Sequence, residues 1–317
     1  MRKMEDEYLE IIRNLKKLRK TVWEIKDWLN YPICAFNVCG KEDPSIIITG
    51  GAYGMSKAPV YATFELILTL NYERRIIMIP SRDPVGFHSI SEIITYMFDT
   101  KIENINEIKD IVRENGGRIV IEKDETWLGI IKNIGFFCTD KNDINSRDFL
   151  YYLLQKYNLW EETDGIRILT PILITGNPKN DSFHTLYIDN RKILDYDTFI
   201  SIENSIPESH SFIKFVEITQ PMLLIDLEEH SNNMLIKINT GDEKIYASLK
   251  LALSQLSIKE ENITLNKEKN LLEYARKRNI YGIQIFTSLK NNLEDRINTH
   301  ITLTRSLINI FGLTYIL

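Results

Sequence analysis

Residues 46–60 constrain the fold more than any other stretch. They read Ile46-Ile47-Ile48-Thr49-Gly50-Gly51-Ala52-Tyr53-Gly54-Met55-Ser56-Lys57-Ala58-Pro59-Val60. A continuous β-branched run has no polar face, so it predicts a strand buried on both sides, the kind found inside parallel sheets. Paired glycines then turn the chain, and Pro59 suits the first turn of a helix, where its missing N–H costs nothing. Strand, glycine turn and helix together predict an α/β unit whose turn lies at the carboxyl end of a buried strand.

The rest of the chain extends this reading. Apolar residues at three- and four-residue steps from Tyr8 to Leu29 predict an N-terminal helix over 5–29, ended by Tyr31-Pro32. Buried strands are predicted at 45–49, 75–80, 222–227 and 283–287, with a short one at 118–121. Helices are predicted at 57–70, 90–97, 105–114, 146–157, 247–256, 267–278 and 293–311. A strand-like run at 168–174 is broken by Pro171, and runs at 185–188 and 192–194 flank a hairpin signal at Asp189-Asn190-Arg191. The expectation is one domain, 1–317, folded as a three-layer α/β/α sandwich with a mixed, mostly parallel sheet. The stretch at about 160–220 is more β-rich and reads as an insertion.

Composition narrows the function. The net charge of −5 over 317 residues argues against a nucleic-acid partner. The basic runs at 13–20 and 276–278 read as solvated helix faces. No apolar window approaches the roughly 18 residues of a membrane span, and the charged N-terminus lacks the apolar core of a secretory signal. Cys34, Cys39 and Cys138 form no Cys-x-x-Cys pair, so reduced thiols and a cytoplasmic location are expected.

Sites in open α/β sheets gather at carboxyl ends of strands, and here those ends carry short motifs. Gly51-Ala52-Tyr53-Gly54-Met55-Ser56-Lys57-Ala58-Pro59-Val60 is similar, without a gap, to Gly-x-His-Gly-x-Glu-x-Ala-Pro-Val. Pro80-Ser81-Arg82-Asp83-Pro84-Val85-Gly86-Phe87 matches Pro-x-x-Asn-Pro-x-Gly-Phe. Asp143-Ile144-Asn145-Ser146-Arg147-Asp148-Phe149 resembles Asp-Leu-Asn-Arg-x-Phe with one extra residue. Leu223-Leu224-Ile225-Asp226-Leu227-Glu228-Glu229-His230 resembles a strand ending Asp-Leu-His-Glu. Ile285-Phe286-Thr287-Ser288-Leu289, followed by Arg296 and His300, resembles a strand ending Thr-x-Glu and its helix. In order and content these resemble the zinc carboxypeptidase family, in its branch containing succinylglutamate desuccinylase and aspartoacylase.

The resemblance implies a zinc hydrolase scaffold with altered chemistry. The ligand positions fall on Tyr53, Ser56 and Glu228, and the general-base position on Leu289. Tyrosine and serine must each lose a proton to bind zinc well, one glutamate does not hold the ion, and leucine moves no proton. The expectation is a pseudoenzyme without a metal, binding a peptide, a small carboxylate such as an acyl-amino acid, or a partner protein. Arg82, Arg147 and Arg296 are the candidates for holding a carboxylate, with Tyr53 adding an aromatic face. A rebuilt zinc site from Glu228, Glu229, His230 and His184, with His88 nearby in type, remains the alternative. So does a metal-independent enzyme using Ser56 or Lys57 at a helix N-terminus. His88, His184 and His300 also read as structural histidines. Nothing in the sequence specifies an oligomer.

Overall fold

The computed structural model describes residues 6–52, 54, 56–139, 146–173, 175–196, 205–230, 233–255, 262–268 and 270–314. From the N-terminus, α1 (Glu7–Leu18) leads to β1 (Lys20–Lys26), β2 (Pro32–Cys39) and β3 (Glu42–Gly50). Then come α2 (Lys57–Thr69), β4 (Arg74–Ile79), α3 (Pro84–Phe87), α4 (Ile90–Phe98) and α5 (Glu107–Glu114). A β-rich stretch carries β5 (Arg118–Lys123), β6 (Thr126–Ile131), β7 (Ile134–Cys138), α6 (Ser146–Lys156), α7 (Trp160–Thr163), β8 (Arg167–Ile172), β9 (Ser182–Asp189) and β10 (Lys192–Leu194). The remainder is α8 (Pro207–Thr219), β11 (Leu223–His230), β12 (Leu235–Ile238), α9 (Glu243–Gln255), β13 (Ile263–Leu265), α10 (Leu271–Lys277), β14 (Tyr281–Ser288) and α11 (Leu293–Thr314).

Eight strands form the main sheet, in the order β1-β2-β4-β3-β11-β14-β12-β13. Its centre, β4-β3-β11-β14, is parallel, while β1, β2 and β12 pair antiparallel to their inner neighbours. Side chains alternate across a strand, and the two cores follow that alternation. Ile46, Ile48, Leu223, Ile225, Leu227, Ile283 and Ile285 pack with residues of α2 and α11. Ile47 and Leu224 pack with Phe212 and Val216 of α8 and Leu271 and Ala275 of α10. Helices therefore cover both faces, as the apolar strand runs require, and the α/β expectation holds.

Strands β2, β6, β7, β12 and β13 are not expected from the sequence, and three further details depart from its reading. The predicted helix over 5–29 stops at Leu18, and 20–26 is an edge strand. A bulge at Val22 displaces the register against β2, so Val22, Trp23 and Ile25 all reach one core. That irregular spacing imitates a helical period. The β-rich region begins at Arg118, not near 160, and ends at Leu194. It forms a second, six-stranded sheet, β10-β9-β8-β7-β6-β5, backed by Leu150, Leu154 and Trp160 of α6 and α7; residues 207–219 belong to helix α8 instead. Pro171 lies within β8 rather than breaking it. The β7 pairing ends at Leu169, so that edge is open where the proline falls. The predicted hairpin forms, with Asn190 and Arg191 both at positive φ between β9 and β10.

Trp127, Ile131, Phe136, Leu169 and Phe183 of the second sheet share the α2-side core with the main sheet. Among the described residues no helix is long and apolar enough to cross a membrane.

Candidate functional site

The parallel strands β3, β4, β11 and β14 end on the same side of the sheet, where the turn after β3 meets the loop after β4. The glycine turn after β3 is built into this junction. Gly51 has φ +63, a left-handed conformation that disfavours side chains. Its carbonyl accepts the Asp83 amide at 2.7 Å and the Ser81 hydroxyl at 3.0 Å, which fastens the turn to the loop after β4. At Gly54 a Cβ would come within 2.0 Å of the Phe183 carbonyl oxygen, so the turn lies directly against β9.

A polar patch interrupts the apolar sheet here. Thr49, Asp226, Glu228 and Gln284 occupy the face of β3, β11 and β14 that looks toward α8 and α10, and all four are fully buried. Asp226 lies in register between Thr49 and Gln284 and accepts hydrogen bonds from the Thr49 hydroxyl and, at 3.0 Å, from Gln284 Nε2. Arg82 enters from the loop after β4. Its Nη2 reaches Asp226 at 2.8 Å and Glu228 at 3.4 Å, and its Nη1 donates to the Tyr196 carbonyl at 3.1 Å. The guanidinium also lies 5.6 Å from the Phe212 ring centre. Glu228 accepts the Ala52 amide at 3.0 Å and the Ser56 hydroxyl at 3.3 Å. Ser56 holds the N-cap position of α2 without capping through its side chain; its hydroxyl serves Glu228 instead. Two buried carboxylates thus share one guanidinium, with polar donors satisfying much of the remainder.

Glu229, the next residue, points to the opposite face. It accepts the Ala58 amide at the start of α2 at 3.1 Å and pairs with Arg296 of α11. Burial pushes its carboxyl up to about 7, while Arg296 and the helix amides pull the other way. Thr287 and His300 share a 3.0 Å hydrogen bond close by. Burial drives the His300 imidazole down to about 3, so it is neutral. His230 is half-buried against the edge of the Phe286 ring, and its carbonyl accepts the Leu289 amide at 2.9 Å.

Of the sequence candidates, the fold therefore gathers Ser56, Arg82, Glu228, Glu229, Arg296 and the backbone of Leu289. Lys57 starts α2, but its amine lies over the Phe87 ring at 5.4 Å. Arg147 pairs with Asp195 at 3.2 Å. His184 of β9 lies near that pair, and its imidazole is lowered chiefly by burial. His88 is enclosed by Tyr8, Tyr31 and Phe87, with Asp6 at 3.6 Å. Tyr53 and residues 143–145 lie outside the described residues. All three candidate arginines are engaged by carboxylates of the chain itself. Sequence reading missed Thr49 and Gln284, although a lone polar residue inside a buried apolar run calls for a partner.

The donors at this spot do not suit a zinc ion. A catalytic zinc takes three nitrogen, sulfur or carboxylate ligands and one open position. Glu228 is already hydrogen-bonded on both oxygens and faces a guanidinium cation. Among the described residues no three His, Cys, Asp or Glu side chains gather as a metal would need.

Neither protein-family models nor curated protein sequences match this chain. Solved structures do. A candidate metallopeptidase from Shewanella baltica superimposes with a TM-score of 0.53 at 9% identity, over 96% of this chain and 91% of that one. One from Shewanella amazonensis gives 0.52 at 10% identity, over 96% and 91%. A third, from Shewanella denitrificans, gives 0.51 at 9%, over 95% and 88%. The chain shares the fold of these three metallopeptidase-like structures.

Proposed function

We propose that this chain is a binding protein on a metallopeptidase scaffold, a pseudoenzyme in which an internal ionic network stands where the resemblance puts the metal. The observation that carries the reading is the state of Glu228. Its carboxylate has no solvent exposure and is held by the Ala52 amide, the Ser56 hydroxyl and Arg82. A zinc hydrolase draws its rate from a Lewis acid and a base that moves a proton. Ser56 and Leu289 supply neither function at the corresponding positions. The ligand is a peptide, an acyl-amino acid or a partner protein, and the three free cysteines suit a cytoplasmic setting.

The test is metal analysis of the purified protein. Well under one equivalent of zinc, with ligand binding indifferent to chelator, is expected. About one equivalent, with a hydrolytic activity that chelator abolishes, overturns the proposal. The triple variant Tyr53→His, Ser56→Glu, Glu228→His is expected to take up zinc, because it restores the ligand types at positions that share one turn and one strand end.

One observation favours a second reading, a metal-independent enzyme. Glu229, raised to about 7 by burial beside Arg296, is matched to acid–base work at neutral pH. On that reading Glu229→Gln removes an activity that chelator leaves intact.

A further inference from the structure

The end of the molecule opposite the candidate site carries a surface that the binding role leaves unused. Helix α2 starts at the site and runs 13 residues away from it, about 20 Å at the rise of an α-helix. Its last turn is joined there by α1 and α11. Arg19, which follows α1, donates through Nε to the Ile67 carbonyl at 3.0 Å, and Arg305 of α11 donates to the Thr69 hydroxyl at 2.8 Å. Both cations stand at the negative end of the α2 dipole, which favours them. Lys17 and Lys20 flank them in the chain and are exposed, as is Arg13, one turn before Lys17 on the same helix face.

By its sequence the basic run at 13–20 is a solvated face, and two observations set it apart from one. First, its charge is not neutralised. Among the described residues no carboxylate pairs with Arg13, Lys17, Arg19, Lys20 or Arg305. The neighbouring Glu24 is taken up by Lys16 at 2.7 Å, and Glu65 lies a turn back along α2. In a chain of net charge −5 this end therefore carries a local field of the opposite sign. Second, Leu18 and Leu68 stand among these cations with 60% and 41% of their surface exposed. Tyr8, Ile11, Ile12 and Leu15 are the residues by which α1 enters the core, so Leu18 is surplus to that face. The helix dipoles account for cations here. They give no reason for leucines left in water.

We propose that this end of the molecule docks on an anionic lipid surface. Arg13, Lys17 and Lys20 meet the headgroups, and Leu18 and Leu68 enter the boundary between headgroups and acyl chains. Basic residues beside exposed apolar side chains are what hold a peripheral helix in that interface. A nucleic acid takes up the cations and offers the leucines nothing. The attachment lies on the membrane rather than through it, since no described helix is long and apolar enough to cross one. It turns the α2 N-terminus, with Ser56 and Glu229, away from the lipid. The surface goes beyond the binding role proposed above and does not depend on the metal question.

The test is co-sedimentation of the full-length protein with sucrose-loaded vesicles. Phosphatidylcholine alone is compared with phosphatidylcholine containing about one-third phosphatidylserine, and a single-stranded oligonucleotide and polyglutamate are added as competitors. Binding to the anionic vesicles alone is expected, weakening as salt screens the exposed charges. Each basic residue at such a surface is worth about fivefold in affinity, so Lys17→Glu with Lys20→Glu is expected to lower binding at least about tenfold. Leu18→Ser with Leu68→Ser keeps the charge and is expected to lower it at least about threefold. Four results each overturn the proposal: equal pelleting with the two vesicle types, undiminished binding in the lysine variant, undiminished binding in the leucine variant, or displacement from the anionic vesicles by either polyanion at matched charge. If a variant does not fold, the two vesicle types and the two competitors decide the matter on the native sequence.

Discussion

Arg82→Met tests whether a guanidinium holds the centre of this fold together. Methionine keeps most of the stem and removes the charge. Asp226 and Glu228, neither with any solvent exposure, then face each other without their cation. Removing one partner of a buried pair costs about 3–5 kcal/mol. Several donors remain, since Thr49 and Gln284 still serve Asp226, and Ala52 and Ser56 still serve Glu228. That draws the electrostatic part toward about 3 kcal/mol. The Tyr196 carbonyl loses one of its two donors and keeps the Ser209 hydroxyl, adding about 0.5 kcal/mol, and the Phe212 ring loses its cation, adding about 0.5 kcal/mol. The expected loss is therefore about 4 kcal/mol, read as a lower urea midpoint at unchanged slope. Adding Asp226→Asn and Glu228→Gln to Arg82→Met removes the stranded charges and is expected to recover at least half of it. A single-variant loss below about 1 kcal/mol refutes the reasoning. So does a triple variant no more stable than the single one, because the loss is then packing rather than charge.

Two further predictions concern pH. Glu229 moves from an ordinary 4.5 to about 7 on folding. The native state thus holds its proton longer, and stability falls as pH rises through that window, by about 3 kcal/mol in all. Glu229→Gln is expected to flatten the urea midpoint between those limits, and an unchanged slope removes Glu229 from the balance. His300 moves the other way, from 6.5 to about 3. The unfolded chain takes the proton first, so stability is lost as pH falls below 6.5, by up to about 5 kcal/mol. His300→Gln is expected to flatten that acid limb, and an equally steep limb in the variant places the acid sensitivity elsewhere.

Some of the architecture is open to reading from local pattern. The β3–turn–α2 unit, the four central strands and the closing helix announce themselves because buried parallel strands are apolar on both faces. The hairpin at Asn190-Arg191 is legible because few residues tolerate two positive φ angles in succession. By contrast, β1 is concealed by its bulge at Val22, and β6 by burial along its whole length, which erases any alternation. At the site, the change of residue type at Ser56, Glu228 and Leu289 is visible in the chain. The company these residues keep is not. Arg82, a candidate for gripping a ligand, is engaged with Asp226 144 positions away, and Arg296 with Glu229 67 positions away.

From its sequence alone this protein was bound to form an α/β sheet with a glycine turn at the end of a buried strand. It was equally bound to present tyrosine, serine, glutamate and leucine where the resemblance calls for metal ligands and a base. Periodicity and side-chain chemistry are local properties, and a linear chain displays them. Only the tertiary structure decided that Ser56 meets Glu228, and that Glu228 shares the Arg82 guanidinium with Asp226. Charge pairing depends on which distant residues are excluded from water together, and that exclusion exists only once the layers have packed.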